Sequence, residues 1–347
     1  MMAGHTQPDF ARRTFSTMSD NTNPSVEGLP RVGWIGTGIM GGAICRRLLD
    51  AGFPLTVTNR SRDRAEPLVQ GGAAWATTPA AVAAASDVVF TCVGYPRDVR
   101  EVVLGADGAL AGLRPGTIFA DMTTSEPELA KEIAAAAATR GIEALDVPVS
   151  GGDVGAREGR LTVMIGGPAA TVTRLDAIWR VIAARVVHCG PPGSGQHTKM
   201  SNQVAIASTM IGMCEALLYA SRAGLDLQTT LDAIRPGAAG SWSLEQLAPR
   251  LLRGDFAPGF LVEHFLKDLG IVLGECRRMG LVLPGVALAE QLYRSARELG
   301  HGRSGTQALV IAIGQLSGAE FPAGPAAGLA TATRGHDHGH VGGTPSC

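Results

Sequence analysis

Gly36-Thr37-Gly38-Ile39-Met40-Gly41 forms a G-x-G-x-x-G pattern. It lies between a short apolar run, Val32-Gly33-Trp34-Ile35, and a stretch of helix formers, Ala43 to Ala51, that stops at Gly52. No other feature constrains the fold as much. The glycines allow a tight turn and a close backbone approach. The helix that follows presents unpaired N–H groups and a positive dipole end, which suit an anion such as a pyrophosphate. A second apolar run, Leu55-Thr56-Val57-Thr58, ends about 20 residues later, the spacing of a dinucleotide-binding strand–helix–strand unit.

The same alternation continues. Asp87 to Val93, Thr117 to Ala120, Glu143 to Val147, Leu161 to Ile165 and Arg185 to His188 read as strands, with helical stretches such as Glu128 to Thr139 between several of them. Short apolar strands alternating with helices predict an α/β fold with a mostly parallel, doubly wound sheet of the Rossmann type over residues 31–192. After Pro191-Pro192-Gly193 the pattern changes. Long Ala/Leu/Met-rich segments follow, broken at Gly224, Pro236-Gly237, Pro258-Gly259, Gly280 and Gly300. They predict an all-α domain over residues 193–318. Residues 1–30 are polar and read as a disordered leader. Arg12-Arg13 among serines and threonines gives it a faint transit-peptide character, and Met18 is a plausible alternative start. Residues 319–347 read as a disordered tail, in which His336, His338 and His340 are solvated rather than metal-bound.

Composition excludes several functions. The net charge is -1 and no basic face is evident, which argues against nucleic acid as a partner. The six cysteines are scattered without a C-x-x-C pair, the pattern of reduced buried thiols in a cytoplasmic protein rather than of a zinc site or a disulfide frame. Val204 to Ala220 is apolar but contains Ser208, Thr209 and Glu215, so it reads as a buried helix rather than a membrane span.

The end of the second strand bears on the nucleotide. An acid there would bind the adenosine ribose and repel a 2′-phosphate. The chain has Asn59-Arg60-Ser61-Arg62 instead. Arg60 either forks onto phosphate oxygens or stacks on the adenine. NADP(H) is the expected cofactor, with NAD(H) the lesser alternative. Two further segments carry polar groups suited to chemistry. Asp146-Val147-Pro148-Val149-Ser150-Gly151-Gly152 ends a strand. Ser150, Gly151 and Gly152 offer a hydroxyl and N–H groups to a carboxylate, or form an ordinary strand-to-loop turn. Gly193-Ser194-Gly195-Gln196-His197-Thr198-Lys199-Met200-Ser201-Asn202 places Lys199 just after a glycine-rich turn, at the mouth of the long apolar segment. Held partly out of water there, an ammonium gives up its proton nearer neutral pH.

Taken in order, these three segments and Lys267-Asp268-Leu269-Gly270 resemble the β-hydroxyacid dehydrogenase family, which includes 3-hydroxyisobutyrate dehydrogenase and tartronate semialdehyde reductase. The resemblance spans roughly Arg31 to Ser317. It implies a Rossmann domain, one long interdomain helix and a helical C-terminal domain, in a homodimer or homotetramer. It implies hydride transfer between the nicotinamide and a short 3-hydroxy acid or its semialdehyde or keto form, with a lysine as general acid and base. By motif, Lys199 matches the family's catalytic lysine. Ser150, Gly151 and Gly152 match its carboxylate loop. Lys267 matches a lysine near the nicotinamide, and Val93, Gly94 and Thr124 fall where the family touches the cofactor. Two departures stand out. Val93-Gly94 replaces a Leu-Pro pair common in the family, and Gln203 occupies the position four after the lysine where the family often has Asn. Either Asn202 or Gln203 could face the substrate. Two other readings compete: an imine reductase, which usually lacks such a lysine, and a non-catalytic dinucleotide-binding scaffold.

Overall fold

A computed structural model describes residues 28–322. Most of the expected leader, residues 1–27, most of the expected tail, residues 323–347 with its histidines, and the alternative start at Met18 lie outside the described residues. Nine strands form one sheet: β1 Val32–Ile35, β2 Leu55–Thr58, β3 Ala74–Trp75, β4 Val88–Thr91, β5 Ile118–Asp121, β6 Glu143–Asp146, β7 Val149–Ser150, β8 Leu161–Gly166 and β9 Ala183–Gly190. The order is β3-β2-β1-β4-β5-β6-β8-β7, with β9 paired to β8. All pairs from β3 to β6 are parallel, β8 runs antiparallel to β6 and β7, and β9 is parallel to β8.

The strand residues explain the layering. β1, β4 and β5 are buried along their whole length, as expected for parallel strands covered on both faces. Val32 and Trp34 face one core with Ile44, Leu48, Phe90 and Trp179. Ile35 faces the other with Val82, Val89, Val99 and Phe119. Trp34 stacks on Phe90 at 5.3 Å between ring centroids, and Phe90 meets Trp179 edge-on at 5.9 Å. Truncating such a fully buried aromatic residue costs about 3–5 kcal/mol. The glycine-loop helix starts at Ile39 and runs to Asp50, earlier than the Ala43 start read from helix formers. β3 and β7 are two residues long, too short to show a period of two, and were not legible in the sequence.

β9 ends at Gly190, and the interdomain helix Ser194–Arg222 begins four residues later. Among the described residues that follow, the regular structure is helical apart from an isolated bridge between Leu261 and Gly305. The helical core gathers Met210, Cys214 and Leu217 from the interdomain helix, Phe265 and Leu269 from the helix Val262–Met279, and Tyr293 from the helix Pro284–Ala296. The expectation of a buried Val204 to Ala220 segment needs correction. By length and composition this helix could cross a membrane, yet only 33% of its most apolar window is buried. Ala205, Ser208, Gly212 and Tyr219 lie on an exposed stripe, spaced as one face of a helix. Its apolar character comes from small residues facing outward as well as large ones facing inward.

Candidate active site

The β1 turn is built for close approach. Gly36 has φ +98, and a Cβ there would stand 2.4 Å from the Cys92 carbonyl oxygen. At Gly41 a Cβ would stand 2.1 Å from the Gly36 carbonyl oxygen, whereas Gly38 has nothing within 4 Å and stays open. Trp34 Nε1 donates to the Gly36 carbonyl at 3.0 Å and locks the turn. The helix starting at Ile39 has no side-chain cap at Gly38, so first-turn N–H groups stay available. Thr37 Oγ1 is buried with no hydrogen-bond partner. Ile39 is 70% exposed, an apolar surface beside the glycine turn. An open glycine, unpaired amides, an orphaned hydroxyl and an exposed apolar side chain fit a dinucleotide. They lie beside β1 and β4, where the strand order reverses and such folds bind nucleotides.

Other predicted cofactor residues are placed as follows. Asn59 Oδ1 accepts from Thr37 N at 3.0 Å, and Asn59 Nδ2 donates to the Ser61 carbonyl at 2.8 Å. Asn59 therefore ties the glycine loop to the end of β2. Arg60 and Ser61 are exposed, while Arg62 sits over the Trp75 ring at 5.5 Å. Met40 packs on the sheet core. Val93 lies under the turn, 2.9 Å from a Cβ built at Gly36, and its N–H donates to Thr123 Oγ1. Gly94 precedes Tyr95, which caps the helix Pro96–Leu104 with Asp98.

Lys199 is held in place by residues the sequence reading did not single out. Asp146, at the end of β6, accepts from Gly193 N at 2.7 Å and from Gln196 N at 2.8 Å. Gln196 is fully buried, with Oε1 accepting from Ser125 N at 3.0 Å and Nε2 donating to the Thr123 carbonyl at 2.7 Å. Gly195 and Gly166 allow this approach. A Cβ at Gly195 would stand 2.6 Å from the Asp146 carbonyl oxygen, and one at Gly166 would stand 2.3 Å from Asp146 Oδ1. The first turn of the interdomain helix is thus clamped to the ends of β5 and β6.

One turn further on, Lys199 is 7% exposed. No hydrogen bond to its Nζ is found among the described residues. Burial holds its pKa below the ordinary lysine value; the Asp268 carboxylate opposes that, and the Lys267 ammonium adds to it. Lys267 Nζ crosses between the domains, donating to the Thr124 carbonyl at 2.6 Å and lying 3.0 Å from Asp268 Oδ1. Asp268 and Gln203 are each 1% exposed, and Gln203 Nε2 donates to Asp268 Oδ2 at 2.6 Å. Asn202 Nδ2 donates to Gln203 Oε1 at 2.8 Å. A cavity of about 360 Å³, lined by Pro96, Glu126, Lys267, Gly270, Gly274 and Arg277, opens beside Lys267.

Ser150 ends β7, and Gly151 and Gly152 follow with φ +129 and +63, values only glycine adopts easily. Gly152 approaches the Gly259 carbonyl at 3.7 Å from a built Cβ, so this loop borders the helical domain. His264 is half-buried between Tyr95 and Phe260, and burial lowers its pKa. Trp242 is 67% exposed and is not a packed core residue. Among the described residues no group of three His, Cys, Asp or Glu side chains could hold a metal ion. Asp146, Gln196 and Asp268 stand inside the motifs read from the sequence, but no role could be given them because their partners lie far along the chain. A strand-end acid and a Lys-Asp pair were the only local hints.

Residues 31–190 match the family described as the NAD binding domain of 6-phosphogluconate dehydrogenase, and residues 193–313 match the NAD-binding domain of NADP-dependent 3-hydroxyisobutyrate dehydrogenase. Fold and site together define a two-domain oxidoreductase that uses a nicotinamide dinucleotide. The chain is 50% identical over 89% of its length, and 92% of the relative's, to probable 3-hydroxyisobutyrate dehydrogenase-like 1, mitochondrial, of Arabidopsis thaliana. It is 34% identical to 2-hydroxy-3-oxopropionate reductase of Escherichia coli, covering 82% of this chain and 97% of that one. The solved structure of Mycobacterium tuberculosis 3-hydroxyisobutyrate dehydrogenase with L-serine superposes with a TM-score of 0.76 at 28% identity, covering 82% of this chain and 99% of that one. An imine reductase from Pseudomonas sp. shares the fold, at 21% identity and a TM-score of 0.55, covering 82% of this chain and 99% of that one. The chain belongs to the β-hydroxyacid dehydrogenase family and is a 3-hydroxyisobutyrate dehydrogenase-like oxidoreductase.

Proposed function

We propose that this protein interconverts a short 3-hydroxy acid and its semialdehyde or keto form, with Lys199 as general acid and base. The observation that carries this reading is a buried lysine, clamped at the start of the interdomain helix, whose Nζ has no hydrogen-bond partner among the described residues. A bound nicotinamide would supply or accept the hydride. The protein's own part is to handle the proton and hold the substrate. In reduction Lys199 donates a proton to the forming alkoxide; in oxidation it accepts one from the hydroxyl. Burial makes the ammonium a better acid than a solvated lysine, so a proton moves more readily near neutral pH. Lys199 and Lys267 bring two positive charges against the single negative charge of Asp268. The surplus favours a substrate with one carboxylate. Ser150, Gly151 and Gly152 receive that carboxylate through a free hydroxyl and backbone N–H groups.

NADP(H) is the preferred nucleotide, because Arg60 is exposed at the end of β2 where an acid would otherwise read the ribose. The outward face of the interdomain helix supports assembly as a homodimer or homotetramer. Cytoplasmic residence is supported by the five cysteines among the described residues, all of them free thiols.

The test mixes the protein with NADPH and a panel of semialdehydes, ketones and cyclic imines and follows absorbance at the nicotinamide band. Carboxylate-bearing carbonyls should turn over and cyclic imines should not. Lys199→Met should lower kcat by about 10²–10⁴-fold while nucleotide binding persists. Near-normal turnover by that variant would refute the assignment.

A further inference from the structure

Gln203 stands where the family often places an asparagine, yet both ends of its amide are already occupied. Its Oε1 accepts from Asn202 at 2.8 Å, and its Nε2 donates to Asp268 at 2.6 Å. Gln203 and Asp268 are each 1% exposed, so neither amide nor carboxylate is presented to solvent. Asp268 Oδ1 lies 3.0 Å from Lys267 Nζ, close enough for an ion pair, but it makes no hydrogen bond. A buried carboxylate with one oxygen gripped by an amide and the other beside a cation has little freedom to turn. Lys267 in turn is anchored to the Thr124 carbonyl across the domain boundary. The chain therefore runs Asn202, Gln203, Asp268, Lys267, Thr124, from the interdomain helix through the helix Val262–Met279 to the segment after β5.

We propose that Gln203 is a positioning residue: by gripping Asp268 it fixes the one negative charge that faces the two active-site lysines, and it does not itself bind substrate. An amide one methylene shorter reaches less far toward Asp268 from the same backbone position. Asn202, half-buried, donates its amide to Gln203, and its Oδ1 has no partner among the described residues. The charged groups felt by Lys199 are Asp268 and Lys267, both from the helix Val262–Met279. The strand-end carboxylate Asp146 meets the interdomain helix through backbone N–H groups of its first turn.

This inference rests on the reading of Lys199 as the proton-handling group, and its test is separable from that reading. The full-length protein is labelled at lysine Cε with ¹³C, and the Lys199 resonance is assigned by its loss in Lys199→Met. Its titration midpoint is read without nucleotide, so turnover is not needed. Asp268→Asn should move the midpoint down by about one pH unit or more, because the opposite charge is gone. Gln203→Asn and Gln203→Met keep that charge but free it to turn toward the lysines, and both should move the midpoint up. In the assay, Gln203→Asn should lose about tenfold in kcat with little change in substrate KM, the pattern of lost positioning rather than lost substrate binding. If Gln203→Asn keeps wild-type kcat the proposal falls, and if it raises KM alone the amide faces substrate and the proposal falls as well. An unmoved midpoint in folded Asp268→Asn overturns it as well, whatever the activity. If instead Lys199→Met turns over normally, the lysine reading fails while the midpoint data still decide the role of Gln203.

Discussion

Asp121 closes β5 with a buried carboxylate beneath the candidate site, and burial pushes its pKa up to about 6. The cause is desolvation, offset in part by hydrogen bonds. Oδ1 accepts from Thr91 Oγ1 at 2.6 Å and from Thr123 N at 3.0 Å. Because the folded value lies above the ordinary carboxylate value of 3.8, the folded protein holds this proton more tightly than the unfolded chain does. Stability is therefore highest when the group is protonated. It falls as pH rises from the unfolded value through about 6, and it stays lowered above that. The interval is worth about 3 kcal/mol, at 1.36 kcal/mol per pKa unit. Asp121→Asn removes the charge, and its Oδ1 keeps both acceptor bonds. The new Nδ2 must find its own acceptor, so the gain is smaller than the full interval, about 2 kcal/mol at pH 8. That corresponds to roughly 4–8 °C in Tm for a domain of this size. Urea unfolding followed by tryptophan fluorescence reads this domain well, because Trp34, Trp75 and Trp179 all lie in it. The wild-type protein should lose stability between pH 4.5 and pH 7.5, and the variant should lose less, the remaining loss in both coming from Asp146, whose pKa burial also raises. A variant no more stable than wild type at pH 8, or an equal pH slope in both proteins, would refute the account of Asp121 as a costly buried charge.

Two substitutions test the nucleotide groove. Gly41→Ala places a methyl group 2.1 Å from the Gly36 carbonyl oxygen and 2.8 Å from Trp34 Nε1. It should cost about 1–3 kcal/mol in stability and weaken nucleotide binding at least tenfold by calorimetry, since the turn must open to fit the methyl; binding at wild-type affinity would show that the turn does not form the groove. Arg60→Ala should raise KM for NADPH about tenfold or more and leave NADH unaffected, as expected for loss of a charge-assisted phosphate contact. Equal effects on the two nucleotides would mean that Arg60 stacks on the adenine instead.

Much of this protein was legible along the chain, because the relevant physics is local. The glycine turn at Gly36, the short apolar runs of the parallel strands and the apolar segment after Gly193 are properties of neighbouring residues, so the dinucleotide-binding sheet and the helical half were readable. Lys199 could be singled out for the same reason, by its place just past a glycine turn. What surrounds it could not. Asp146 meets Gly193 across 47 residues, and Gln203 meets Asp268 across 65. Such pairs are selected by packing, where a buried polar atom must find a partner wherever the chain brings one, and that choice leaves no periodic trace. The outward face of the interdomain helix was hidden too, since a run of small apolar residues looks the same whether a core or solvent covers it. The sequence by itself therefore determined the architecture and singled out Lys199 as the candidate amine. Only the tertiary structure decided which carboxylate stands against that amine and which amide holds the carboxylate still, because those depend on distances between segments that no local pattern encodes.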